Sequence, residues 1–355
     1  CLLGGGPVEL RLPWSVPLGS FHVGLDALSS FFLVLVLLVS ALCAVYGLGH
    51  RRAEGAEPDA SWLFYGLLAA GMALVVAARD GVLFLAAWEV MSLASFFLVV
   101  RDDGEEEVRA AGWTLLVAGQ LGAAALLGLF VWLGRGGLDF TALAAPTQGA
   151  AGALFLLALV GFGIKAGFVP FHAWLPEAYP AAPGHVAAVM SGVMIDMGVY
   201  GFLRTLGLLG PPPAWWGWTL VGAGALGGVG GGLLSAAQRD LKRALAYSSV
   251  ENMGVVALGL GLGLLGRAYA DPVLAALGFG GALLHVLNHS LFKSLLFMGA
   301  GTASRASGTG DLEGMGGLLK RMPATGTCFL AGSAALMGLP PFNGFFSELL
   351  VMLAA

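Results

Sequence analysis

Glu89 lies in the middle of one apolar stretch, Phe84-Leu-Ala-Ala-Trp-Glu-Val-Met-Ser, and Lys165 near the end of another, Val160-Gly-Phe-Gly-Ile-Lys-Ala-Gly-Phe-Val. Both stretches are long enough to cross a bilayer, where an ionisable side chain costs several kcal/mol unless it is paired, hydrated or neutralised. A chain that keeps such residues is read as moving something charged, either protons or small cations. His285, His289 and Lys293 follow at intervals of four, which puts three titratable groups on one face of an otherwise apolar helix. Such a stripe can line a row of waters. In the plainer alternative the histidines bond to backbone or hydroxyl groups of neighbouring helices and fix packing. The i, i+4 histidines also have metal-binding spacing, but no carboxylate or cysteine joins them on that helix, which argues against a metal.

The segment after Lys165 reads Val169-Pro-Phe-His172-Ala-Trp-Leu-Pro176-Glu-Ala-Tyr-Pro180-Ala-Ala-Pro183, with four prolines in fourteen residues. Each proline removes an amide donor, so a helix break is expected within 165–183. Leu339-Pro-Pro-Phe-Asn-Gly-Phe-Phe-Ser-Glu348 repeats the device, and a second break is expected within 338–347. Broken spans are tolerated where the freed backbone groups face water or protein, and they often mark ion sites in transporters. The plainer alternative has Lys165 snorkelling to the interface and Glu348 capping a helix N-terminus.

The elements that position these residues must be membrane helices. Hydrophobic residues make up 58% of the 355 and charged residues 11%, against roughly a quarter charged in soluble domains. The mean hydropathy of +0.86 agrees. An all-α polytopic bundle is expected, with about ten spans of about 20 residues each: 27–48, 61–79, 81–100, 110–133, 150–177, 184–207, 216–236, 244–266, 272–301 and 325–355. The fifth and the last are the discontinuous ones. Residues 1–26 then form an N-terminal segment ahead of a transmembrane domain, 27–355.

Net charge of −4 says little about partners, but the distribution of basic residues does. If spans alternate, one side collects Arg51, Arg52, Arg101, Arg109, Arg239, Lys242, Arg243, Arg305, Lys320 and Arg321, and the other Arg11, Arg79, Arg135, Arg204 and Arg267. The positive-inside rule makes the first side cytoplasmic and residues 1–20 external. Cys1, Cys43 and Cys328 have no paired spacing, so neither a disulfide framework nor a zinc or iron–sulfur motif is indicated. No signal-peptide pattern is visible, and a chain that opens on Cys1 and stops within an apolar run is read as truncated. Gly222-Ala-Gly224-Ala-Leu-Gly227 matches the dinucleotide fingerprint, yet it follows Trp215-Trp-Gly-Trp218 instead of a strand. Close helix packing is the better account, as for Gly224-xxx-Gly228 and Gly228-xxx-Gly232.

Three motifs carry a resemblance: Lys165 with Val169-Pro-Phe-His-Ala-Trp-Leu-Pro-Glu-Ala, then Arg239-Asp-Leu-Lys-Arg-Ala-Leu-Ala-Tyr-Ser-Ser, then His285-Val-Leu-Asn-His-Ser-Leu-Phe-Lys-Ser-Leu-Leu-Phe. From about residue 20 onward the chain resembles the antiporter-like membrane subunits of complex I, energy-converting hydrogenases and Mrp-type sodium/proton antiporters. Ser248-Ser-Val-Glu-Asn-Met-Gly254 and the stretch from Gly308 to Pro323 look most like hydrogenase-4 component B and its formate hydrogenlyase relative.

The resemblance implies a proton relay in which Glu89 pairs with Lys165, His285, His289 and Lys293 form the centre, and Glu348 stands on the second broken helix. It also implies an acidic position at Asp26, at the outer end of the first span. Asp196, in Ser191-Gly-Val-Met-Ile-Asp-Met-Gly, departs from the pattern, since relatives often carry lysine or histidine there. Its plainer role is a pairing with Arg204 or with backbone amides.

The physics of such a relay needs no family. A low-dielectric site disfavours a charged ammonium, and a nearby carboxylate restores it. At an effective dielectric near 20, two charges 4 Å apart interact by about 4 kcal/mol. Moving or neutralising Glu89 would therefore release the Lys165 proton toward the histidines. The sequence carries no nucleotide, haem or cluster motif, so no cofactor is expected in the chain, and partner subunits must supply the energy. Three functions remain open: a proton-translocating subunit of a redox complex, a subunit of an Mrp-type antiporter, and a membrane-embedded enzyme using His172, His285 or His289. The lack of a recognisable nucleophile–base pair stands against the enzyme.

Overall fold

Every stretch read as a span is helical, and helices break where prolines cluster. The computed structural model describes residues 6–14, 16, 19–53, 59–134, 137–143 and 146–355. Cys1 and Arg135 lie outside the described residues, as does the side chain of Arg51. Two strands, β1 (Val8–Leu12) and β2 (Phe21–Leu25), precede α1 (Ala27–Ala53), α2 (Ser61–Ala77), α3 (Gly81–Val99), α4 (Glu106–Leu133) and α5 (Gln148–Ala166). Then come α6 (Leu175–Ala181), α7 (Gly184–Val189), α8 (Asp196–Leu206), α9 (Ala214–Ala236), α10 (Leu241–Ala268) and α11 (Pro272–Ser307). The chain closes with α12 (Leu318–Arg321), α13 (Pro323–Leu336) and α14 (Asn343–Ala354). Among the described residues eight helical stretches are long and apolar enough to cross a membrane, while Ser61–Ala77 and Asn343–Ala354 are apolar but shorter. This is a multi-pass membrane chain.

The first break lies at 167–174, within the expected window, opening with Gly167 at φ 68° and containing Pro170. The second separates α13 from α14, with Gly338 at φ 61° followed by Pro340 and Pro341. Two features differ from the sequence reading. Residues 8–12 and 21–25 form an antiparallel pair, with Val8 opposite Leu25, because alternate residues of β2 turn inward. A π-type turn, Met190–Met194, also interrupts the helix that continues into α8.

The chain forms two compact units. One comprises Cys1–Ser40, Pro58–Ala166 and Val193–Gly210. In it α3 packs on α2 and α4, and α5 on α4 and α8. Asp80 caps α3 by accepting from the amides of Val82 (2.9 Å) and Leu83 (3.3 Å). Gly198 brings α8 onto α5: a Cβ there would meet the Ala166 nitrogen and Phe162 carbonyl at 2.5 Å. This close backbone approach thus falls one residue from Lys165.

The other unit comprises Ala41–Glu57, Gly167–Gly192 and Pro211–Ala355. Here α10 is held between α9 and α11 by glycines on both faces, as small-residue packing allows in membranes. A Cβ on Gly224 would stand 2.6 Å from the Leu258 nitrogen, and one on Gly231 3.0 Å from the Tyr247 carbonyl. Of the fingerprint-like glycines, Gly224 and Gly227 are therefore packing residues inside α9, while a Cβ on Gly222 would meet nothing within 4 Å. A Cβ on Gly254 of α10 would in turn meet the Gly228 nitrogen at 2.3 Å and the Gly224 carbonyl at 2.7 Å, so the Gly224-xxx-Gly228 pair lies against α10, and a Cβ on Gly232 would meet the Glu251 side chain. Asp240 and Asp271 cap α10 and α11 through the amides of Arg243 (2.8 Å) and Val273 (3.0 Å).

Candidate functional site

In the first unit Lys165, at the last turn of α5, is 3% exposed, so it does not snorkel. Its Nζ donates to Ser92 Oγ at 3.0 Å and lies 5.7 Å from the centroid of the Trp88 ring. Trp88 is itself fixed edge-on by Phe162 (5.5 Å) and stacked on Phe84 (5.7 Å). Glu89, half-buried on α3, accepts from Gln120 Nε2 at 3.0 Å. The expected direct Glu89–Lys165 pair is absent among the described residues. The reason is the helix geometry: Ser92, one turn after Glu89, occupies the amine, while the Glu89 charge acts on Lys165 from beyond ion-pair distance.

Asp26 and Asp196 belong to the same unit. The Asp26 carboxylate accepts from Arg204 Nη1 (2.6 Å) and Nη2 (2.8 Å), lies 3.4 Å from Arg79 Nη2 and accepts from the Ser29 amide at 2.9 Å. Although burial opposes it, the Arg204 bonds and the Ser29 amide hold this carboxyl well below the usual carboxylate range. Arg204 thereby directs both Nη groups to Asp26. Asp196 is fully buried and lies two residues after the end of the π-type turn, a feature common at functional sites.

In the second unit His285, His289 and Lys293 are all fully buried on α11. Lys293 Nζ donates to the Leu245 carbonyl (2.9 Å) and to Ser248 Oγ, both on α10. His285 Nε2 is 3.0 Å from Asn252 Oδ1, and its Nδ1 is 3.0 Å from Ser347 Oγ. Asn252 Nδ2 donates to the Ser248 carbonyl, which leaves Oδ1 as the acceptor and puts the His285 proton on Nε2. His285 thus makes the neighbour bonds of the plainer reading. His289 does not: neither ring nitrogen has a hydrogen-bond partner among the described residues. No group of three or more metal-ligating side chains occurs among them either.

The segment that follows the first break, and the second break itself, are tied to neighbouring polar groups. Lys242 Nζ donates to the carbonyls of Pro180 (3.2 Å) and Ala182 (2.8 Å), and Arg243 pairs with Glu177. His172, in the first break, is half-buried with no partner for Nδ1 among the described residues. At the second break Asn288 Nδ2 donates to the Asn343 carbonyl (2.7 Å) and Ser347 Oγ (2.9 Å), while Asn343 Nδ2 donates to Asn288 Oδ1 (3.0 Å). Glu348 sits in the second turn of α14, so it does not cap that helix, and no side-chain cap bond is made there. It lines a cavity of about 410 Å³ together with Glu251 and Asn252.

The sequence model of the NADH:quinone oxidoreductase/Mrp antiporter transmembrane family matches residues 78–355. The chain belongs to this family. It is 40% identical to hydrogenase-4 component B of Escherichia coli (strain K12) over 332 residues, 91% of this chain and 49% of that protein. It is 35% identical to formate hydrogenlyase subunit 3 of the same organism over 340 residues, 94% of this chain and 54% of that one. Among solved structures, a chain of the membrane-bound sulfane sulfur reductase, an archaeal respiratory membrane complex, superposes with a TM-score of 0.84 at 31% identity, covering 100% of this chain and 57% of that one. The chain spans about half the length of the relatives it matches. The resemblance read from the motifs is thus borne out, down to the hydrogenase-4 and formate hydrogenlyase relatives.

Sequence reasoning did not find Ser92, Gln120, Asn252, Asn288 or Ser347 as site residues. Hydroxyl and amide side chains in membrane helices often bond only their own helix, so nothing in the sequence marks those that reach a neighbour.

Proposed function

We propose that this chain is a proton-translocating membrane subunit of a redox-driven complex of the hydrogenase-4, formate hydrogenlyase or complex I kind, in the cell's inner membrane. Glu89, Lys165, His285, His289, Lys293 and Glu348 are its relay residues in that order, with Asp196 and His172 as further members. The observation that carries this reading is that two lysines, Lys165 and Lys293, are buried in apolar helices and, among the described residues, bonded only to neutral oxygens: a serine hydroxyl for each, with a main-chain carbonyl added for Lys293. A buried ammonium with no direct counter-ion is poised to lose its proton when the nearest carboxylate charge changes. His289, without a bonding partner among the described residues, is a suitable next station because both ring nitrogens are available for proton exchange.

Partner membrane subunits and a peripheral redox arm supply the driving energy, and the bilayer is the chain's other partner. The basic loop Arg239–Arg243 faces the cytoplasm and residues 1–20 face outward. The second reading, a subunit of an Mrp-type antiporter, is favoured by the family description itself, which joins the two classes. Reconstituting the purified native assembly in sealed vesicles separates them. Internal pH change driven by an electron donor supports the redox complex. Change driven only by a sodium gradient supports the antiporter and overturns the first reading.

A further inference from the structure

Glu251 is a carboxylate that the relay above leaves unused. It lies on α10 three residues after Ser248, whose hydroxyl receives the Lys293 amine. In the other unit Glu89 lies on α3 three residues before Ser92, whose hydroxyl receives the Lys165 amine. Residues three apart share a helix face, so each buried lysine meets a serine directly and a glutamate one turn away on the same helix. The Glu251 charge acts on Lys293 as that of Glu89 does on Lys165, and it also acts on Glu348.

The surroundings of Glu251 suit a proton carrier. Gly232 leaves room for it: a Cβ there would stand 3.3 Å from Glu251 Oε1. Glu251 also lines the cavity of about 410 Å³ that it shares with Glu348 and with Asn252, the residue bonded to His285. That volume has room for several waters between the two carboxyl groups.

We infer that Glu251 is the proton acceptor of Lys293 and that it passes the proton across this cavity to Glu348. In the first step an ammonium N–H of Lys293 breaks and a carboxyl O–H forms on Glu251, leaving both groups neutral. In the second that O–H breaks as one forms on Glu348, and the Glu251 carboxylate is restored. The inference rests on the proposed proton-translocating function and adds the carboxylate partner of the second lysine.

The test uses the full-length protein in its native assembly, in sealed vesicles with a pH-sensitive dye, with Lys165→Ala as the control. Glu251→Gln should lower pumping at least tenfold, and Glu251→Asp should restore a measurable part of it. Glu251→Gln pumping within twofold of wild type, while Lys165→Ala does not pump, overturns this inference alone. Pumping by Lys165→Ala overturns the function beneath it. If Glu251→Gln fails to assemble, Glu348→Gln decides. The proton should then stall on Glu251 and give a protonated-carboxyl band in infrared difference spectra that shifts in the Glu348→Gln, Glu251→Asp double variant. Absence of that band overturns the inference.

Discussion

Asp26→Ala separates an anchoring carboxylate from a proton carrier. Asp26 accepts two bonds from Arg204 (2.6 and 2.8 Å), lies 3.4 Å from Arg79 and accepts from the Ser29 amide at the start of α1. Removing it leaves two guanidinium groups, 18% and 8% exposed, facing one another across Ser29 Oγ, to which both donate at 2.9 Å. Breaking a buried pair from one side costs about 3–5 kcal/mol. Asp26 is 36% exposed, so solvent screening reduces that figure, and loss of the helix-start bond returns about 1 kcal/mol. The net expectation is a loss of about 2–3 kcal/mol. The sign of the pH dependence follows from the depressed carboxyl. Its contribution is fully present above the unfolded value of about 3.9 and is lost only as pH falls through the lower folded value. Thermal unfolding of the purified assembly should therefore show the same deficit at pH 5 and at pH 8, with pumping per assembled complex unchanged. A variant as stable as wild type refutes the anchoring argument. A stable variant that does not pump places Asp26 in the relay instead.

Three further outcomes are expected. Glu89→Gln and Glu89→Ala should each strongly reduce pumping in sealed vesicles, because the amide of Gln keeps the Gln120 contact but not the charge acting on Lys165. Asp196→Asn should lower pumping if Asp196 carries protons, whereas wild-type rates would make it a packing residue. A cysteine placed in the Arg239–Arg243 loop should escape impermeant thiol reagents added outside intact cells, and external labelling would reverse the orientation.

The spans and both helix breaks were legible because each rests on a strong local signal. Twenty apolar residues in a row have few other uses, and clustered prolines at 170–183 and 340–341 cannot sit in an unbroken helix. The buried stripe on α11 was legible for the same reason, since a period of four fixes one face. What escaped was the partner of each charge. Placing Glu89 and Lys165 in adjacent helices does not say which side chain reaches the amine, and Ser92, one turn along, takes that place. Arg204 likewise sits two turns after Asp196 in the same helix, yet bonds Asp26 from a distant part of the chain. The β1–β2 pair was missed because five-residue strands give a weak period-two signal next to long apolar runs.

The central claim is that Lys165 is a proton switch and not a structural cation. The most direct measurement is dye-monitored pumping by the reconstituted assembly carrying Lys165→Ala, with subunit composition checked beside wild type. Because the Lys165 amine is bonded to Ser92 and lies beside the Trp88 ring, with no salt bridge among the described residues, its loss removes one hydrogen bond and a buried charge without unpairing an ion pair, so assembly should persist. The account predicts an assembled complex that no longer acidifies or alkalinises the vesicle interior. Full pumping by that assembled variant would contradict it and leave the chain as a scaffold around a pathway carried elsewhere.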